Sequence, residues 1–149
     1  MRTASLSVPA RKDAETQVRA LIEDRVKAVR AKDVEGAMAI VAPDFLMFDV
    51  VNPMQSVGSE GSRKRTREWF SSFAGPIGCE MRGLSITADG DVAYSHCLNR
   101  YSGTKTDGAK VEMWVRVTSC YRRISGRWFL THEHGSVPFE SPQAPKDVS

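Results

Sequence analysis

The second half of the chain carries the strongest constraint on its fold. Between Cys79 and Val137, four β-rich runs are separated by turn signals at Asp89-Gly90, Thr106-Asp107-Gly108 and Ser125-Gly126. The runs are "CEMRGLSITADGD", "VAYSHCLNRYSG", "KVEMWVRVTSCYRRI" and "RWFLTHEHGSV". Asp-Gly and Ser-Gly between branched and aromatic runs mark hairpins, because these residues adopt the backbone that tight reversals need. The spacing therefore predicts a closing meander of four long strands.

The first half reads differently. Val18, Leu21, Ile22, Val26 and Val29 recur at helical spacing and predict a helix over about Ala14 to Ala31 with one buried stripe. Asp33 is placed to cap a second, short helix. Pro43 ends it, since the residue before a proline avoids the helical region. "FLMFDVVN", from Phe45 to Asn52, reads as a strand and "PMQSVGSEGS" as a loop. Ser62 is a candidate cap for a third helix to about Phe73, anchored by Trp69, Phe70 and Phe73. Helices early and strands late predict an α+β fold rather than alternating α/β.

A chain of 149 residues suits one domain. That domain is expected over 14–140, with a flexible start over 1–13 and a flexible tail over 141–149. The net charge of +3 is too small to imply a nucleic-acid partner. The one basic cluster, "SRKRTREW", reads best as a solvated helix face. No stretch approaches the ~20 apolar residues of a membrane span, and the start lacks the apolar run of a signal peptide. Cys79, Cys97 and Cys120 are too widely spaced for a disulfide framework or a zinc motif. As free thiols they suit a reducing compartment, so a cytoplasmic protein without membrane or nucleic-acid partners is expected.

Strand alternation sorts the candidate site residues, because positions i and i+2 share a face. Trp128, Leu130, His132 and His134 fall on one side of the last run. In the run before it, Trp114, Arg116, Thr118 and Cys120 oppose Met113, Val115, Val117 and Tyr121. Tyr94, His96 and Leu98 go together. A ligand pocket needs apolar walls with a few converging polar groups. That rule assigns Trp114, Arg116 and Thr118 to a pocket, with Tyr94, His96 and Trp69 as further substrate-binding candidates. It assigns Met113, Val115 and Val117 to a contact with a second copy. Asp49 stands inside an apolar strand, where a carboxylate is either a proton carrier or half of an ion pair with Arg116 or a histidine. His132 and His134 have three readings: a catalytic base, a metal pair completed by His96 and Asp49, or one pocket residue beside one that bonds a carbonyl. The expectation is catalytic Asp49, His132 and His134, with no metal and no cofactor.

The blocks "AKDVEGAMAIVAPDFLMFDV", "SVGSEGSRKRTREWF", "GDVAYSHCLNRY", "WVRVTSCYRRISGRW" and "THEHGSVP" carry a family resemblance over about Ala14 to Pro138. The chain resembles the nuclear-transport-factor-2-like superfamily, in its SnoaL-like and ketosteroid isomerase-like branch. The resemblance implies a cone: a strongly curved, mostly antiparallel sheet packed against three helices around one deep pocket. It also implies a homodimer through the outer sheet face, and a small apolar or carbonyl-bearing ligand. The activity implied is cofactor-free proton transfer of the isomerase, cyclase or hydrolase type. The alternative is a non-catalytic binding or association module. The family's proton-shuttling Asp falls at Asp49. Its oxyanion Tyr and protonated Asp fall at Arg25 and Thr118, which differ from the pattern, so steroid isomerisation itself is not expected.

Overall fold

The computed structural model describes residues 7–140; the expectations for 1–6 and 141–149 lie outside the described residues. In chain order the elements are α1 (Val8–Arg30), α2 (Val34–Met38), β1 (Val41–Phe48), β2 (Ser56–Val57), α3 (Ser59–Ser71), β3 (Gly78–Asp89), β4 (Val92–Thr104), β5 (Lys110–Ile124) and β6 (Arg127–Ser136). One six-stranded sheet forms, in the order β2-β1-β6-β5-β4-β3. All neighbours are antiparallel except β1 and β6, which run parallel. The architecture is the expected α+β cone, with a mixed, mostly antiparallel curved sheet and three helices.

The first helix starts earlier than its apolar stripe suggests. The Ser7 hydroxyl accepts from the Ala10 amide, and Pro9 sits in the first turn, where its missing N–H is no loss. Its buried residues Ala14, Val18, Ile22 and Ala28 keep the helical spacing. Asp33 caps α2 as expected, its carboxylate accepting from the Gly36 amide at 3.0 Å. That helix is shorter than expected, because Val41 already pairs with Leu130 of β6. Pro43 therefore sits inside β1 rather than ending a helix. The β1–β6 register is interrupted between Val41 and Leu46, so the strand accommodates the proline where its ladder is irregular. The third helix begins at Ser59, leaving Ser62 buried within it rather than capping it.

The turns fall where the Gly dipeptides placed them. At the β5–β6 reversal Ser125 and Gly126 both have positive φ, 52° and 80°. One apolar cluster joins Val18 and Ile22 of α1 to Phe45, Tyr121, Trp128 and Leu130 of the sheet. A second joins Phe70 and Phe73 to Ile77, with Trp69 packed beside them.

Two β-bulges matter more for the site than any helix boundary. On β3 the register shifts between Arg82 and Ser85, around Gly83 with φ of 66°. On β6, Tyr121 faces Leu130 while Cys120 faces His132, so Thr131 is the extra residue. Each bulge reverses which residues point inward, because the side-chain period of a strand is two. Before Thr131 the inward residues are Trp128 and Leu130; after it they are Glu133 and Gly135. On β5 there is no such shift inside the sheet, and the inward row is Met113, Val115, Val117, Ser119 and Tyr121.

Candidate ligand cavity and its carboxylates

The concave face of the sheet and the three helices enclose a cavity of about 640 Å³. Its walls are mainly apolar: Ile22, Val26, Phe45, Met47, Trp69 and Met81 among others. Arginine–carboxylate pairs form at two places in the wall.

At the first, Arg25 of α1 meets Glu133 of β6. The Arg25 Nη1 donates to Glu133 Oε2 at 2.8 Å, and the two side chains are only 23% and 17% exposed. Helix and strand positions fix both ends of this pair. Arg25 is held further by donating from Nε to the Ala37 carbonyl at 3.2 Å. Ser119 also donates to Glu133 Oε2, at 3.0 Å. Among the described residues nothing donates to Glu133 Oε1. One oxygen of this carboxylate is thus doubly occupied and the other is open.

The neighbours are two phenols. Burial pushes the Tyr121 phenol up to about 12; the Ser95 hydrogen bond opposes this and the Glu133 charge adds to it. Tyr121 and Ser95 hydroxyls lie 3.0 Å apart. Burial also pushes the Tyr101 phenol well above its ordinary value, with the Glu133 charge adding again. Both phenols therefore keep their protons across the physiological range. The Tyr101 ring is fixed edge-on against Trp69, with centroids 5.2 Å apart.

At the second place, near the loop after β1, Arg65 of α3 pairs with Asp49. Its Nη2 donates to Asp49 Oδ2 at 2.8 Å, and its Nη1 to the Asn52 carbonyl at 3.3 Å. The other oxygen, Oδ1, accepts from the Val50 amide at 2.7 Å. Both Asp49 oxygens are occupied, and the partner is Arg65 rather than Arg116 or a histidine. Asp49 does border the cavity, as does Trp69.

Residues 18–140 match the profile of the SnoaL-like domain. The chain belongs to that family. Among solved structures, an NTF2-like protein of unknown function from Pseudomonas putida KT2440 is 33% identical, with 93% of this chain and 97% of that chain covered and a TM-score of 0.81. An uncharacterised protein with a cystatin-like fold from Caulobacter vibrioides is 17% identical over 85% of this chain and 91% of that one, TM-score 0.73. The association domain of C. elegans CaMKII is 15% identical over 86% and 98%, TM-score 0.66. These last two share the fold alone. A comparison with curated proteins gave no match.

In this SnoaL-like cone several expected site residues lie elsewhere. Trp114, Arg116 and Thr118 are on the outer face of β5, where Trp114 stacks under the Arg82 guanidinium at 4.9 Å and Arg116 donates to the Ser136 hydroxyl at 3.0 Å. The polar mixture of that row marks solvent, and the apolar row Val115 and Val117 is the one the helices cover. Met113, Val115 and Val117 thus line the cavity instead of an outer contact surface. Tyr94 and His96 share the outer face and are exposed.

His132 and His134 also miss the cavity, because the Thr131 bulge turns them outward. The His132 Nδ1–H donates to the Leu46 carbonyl at 2.7 Å, so this ring ties β6 to β1. Both imidazoles contact the Phe48 ring edge-on, with centroids 4.8 Å and 5.4 Å away. Among the described residues no His, Cys, Asp and Glu cluster could hold a metal ion.

Arg25, expected at the position of the family's oxyanion Tyr, does line the cavity. Glu133, Ser119, Tyr121, Asn99 and Tyr101 went unrecognised in the sequence. For Asn99 and Tyr101 a signal existed: they have the opposite parity to Tyr94 and His96, the inward row once the faces are set correctly. For Glu133 no local signal reveals the bulge.

Proposed function

We propose that this SnoaL-like chain binds a neutral, mostly apolar, carbonyl-bearing molecule and moves a proton on it, with Glu133 as the base. The carrying observation is the open Oε1 of a carboxylate whose other oxygen is held by Arg25 and Ser119. The wall supports a neutral ligand: its two arginines are each matched, Arg25 by Glu133 and Arg65 by Asp49, and its Lys105 is engaged by the Ser72 hydroxyl and the Phe73 ring. In the step, Oε1 takes a proton from the carbon next to the carbonyl. The C–H bond breaks, an O–H bond forms on Glu133, and the electron pair passes to the carbonyl oxygen as an enolate. Returning the proton to carbon regenerates the carboxylate. Arg25 keeps Glu133 oriented and offsets its charge. In heavy water this chemistry exchanges substrate hydrogen for deuterium, so NMR of indanone reads it directly. Wild-type protein is expected to speed deuterium uptake at the carbon next to the carbonyl. Glu133→Gln is expected to lower that rate by ~100-fold or more. No acceleration by the wild type sinks the reading.

A second reading concerns assembly. Tyr94 and Leu98, each 48% exposed, and Trp114, 37% exposed, share the outer sheet face, which supports a homodimer through it. The likeness to an association domain supports assembly without pointing to a particular surface. Leu98→Glu is expected to give a monomer in analytical ultracentrifugation. A dimer that survives the charge places the contact elsewhere.

A further inference from the structure

Cys97, Asn99 and Tyr101 form a file along the inward face of β4. The Cys97 thiol donates to Asn99 Oδ1 at 3.4 Å, and Asn99 Nδ2 donates to the Tyr101 oxygen at 3.0 Å. The order of the file has a direction. Burial, aided by the charges of Glu133 and Cys79, pushes the Cys97 thiol up to about 11, so at neutral pH it is an S–H donor. A donor on Oδ1 leaves Nδ2 to face Tyr101, and an amide N–H can only donate. The Tyr101 oxygen is thereby filled as an acceptor. Its own hydrogen is directed away from Asn99, and no described residue accepts it. All three side chains border the cavity.

We infer that Asn99 sets the hydrogen-bonding polarity of this part of the cavity, making Tyr101 a dedicated donor that selects ligands presenting a bare acceptor such as a ketone oxygen. Tyr101 touches the ligand; Asn99 and Cys97 are positioning residues acting through it. The inference extends the carbonyl reading of the ligand but needs no proton transfer, since it concerns binding alone. The chemistry is that of a lock with one sense. If Asn99 were replaced by a group that accepts from Tyr101, the phenol would turn and offer its lone pairs instead.

The test uses two neutral bicyclic probes of similar size, indanone, which only accepts at its oxygen, and indole, which only donates at its nitrogen. Their affinities are measured by calorimetry on the full chain. The readout is the ratio of indanone to indole affinity, which a general loosening of the cavity does not move. Tyr101→Phe is expected to lower that ratio roughly 3- to 10-fold through indanone alone. Asn99→Asp is expected to lower it as much, because the new carboxylate captures the Tyr101 proton. Asn99→Leu, which keeps the size without any charge, is expected to lower it by a smaller factor and guards against a misfolded Asp variant. An unchanged ratio in Tyr101→Phe overturns the role of Tyr101. An unchanged ratio in both folded Asn99 variants overturns the role of Asn99. Failure of deuterium exchange with the ratio effects intact removes Glu133 as a base and leaves this inference standing.

Discussion

Two arginine–carboxylate pairs line one cavity, and by length they are the same. Arg25–Glu133 and Arg65–Asp49 both measure 2.8 Å. What separates them is where the remaining lone pairs go. Asp49 spends Oδ1 on the Val50 amide and Oδ2 on Arg65, and Arg65 also holds the Asn52 carbonyl. This pair fastens the loop after β1 to α3. Glu133 gathers both of its donors on Oε2 and keeps Oε1 open. A carboxylate is available for chemistry when an oxygen is free and faces a ligand space, whatever its charge partner. Asp49 looked the sharper candidate because an acid in an apolar strand is conspicuous; in the fold it is the one already committed.

The comparison can be broken by substitution. Arg25→Met strands a carboxylate inside the cone, whereas Arg65→Met strands one beside solvent. The first is expected to lower stability by ~2–3 kcal/mol, less than a fully buried pair because the cavity admits water. The second is expected to lower it by under ~1 kcal/mol. Urea unfolding of both variants checks this, and equal losses would mean the two pairs share one environment.

Ser119→Ala sharpens the claim about Glu133. It removes one donor from Oε2 and frees that oxygen to turn. A fall of roughly 3- to 10-fold in deuterium uptake by indanone is expected, with little change in Asp49-dependent loop structure. An undiminished rate would show that Ser119 does not position the carboxylate.

The smallest effect concerns alkaline pH. Burial raises Cys97 from an ordinary thiol value near 9 to about 11, so the folded state favours the protonated thiol. Its contribution is fully present below about pH 9 and is lost as pH rises toward about 11. Burial raises Cys79 in the same direction, and Tyr121 extends the loss to about 12. Cys97→Ala is expected to flatten the fall in melting temperature between these limits. An unchanged slope would place the alkaline loss on the other buried groups.

The contrast also explains what the sequence made legible. Hairpins were readable because their signals are local: Asp89-Gly90 and Ser125-Gly126 need only their own backbone preferences. The Asp33 cap was readable for the same reason, as a side chain reaching three residues along. The inward face of β5 was not, because its helical cover comes from α1 and α3, far away in the chain. Polar Trp114, Arg116 and Thr118 suggested a pocket, yet the charges of the pocket stand on other elements, in the Arg25–Glu133 and Arg65–Asp49 pairs among others. Glu133 was hidden by Thr131. A strict two-residue alternation from Trp128 turns the histidines inward and the glutamate outward, and one extra residue reverses both.

The central claim is that the open carboxylate, and not the fastened one, carries the proton. The direct measurement is deuterium uptake by indanone, followed by NMR, with Glu133→Gln and Asp49→Asn compared side by side with wild type. The account predicts a loss of ~100-fold or more for Glu133→Gln and less than ~10-fold for Asp49→Asn. A wild-type rate in Glu133→Gln, or a collapse confined to Asp49→Asn, would contradict it and return the base to the loop after β1.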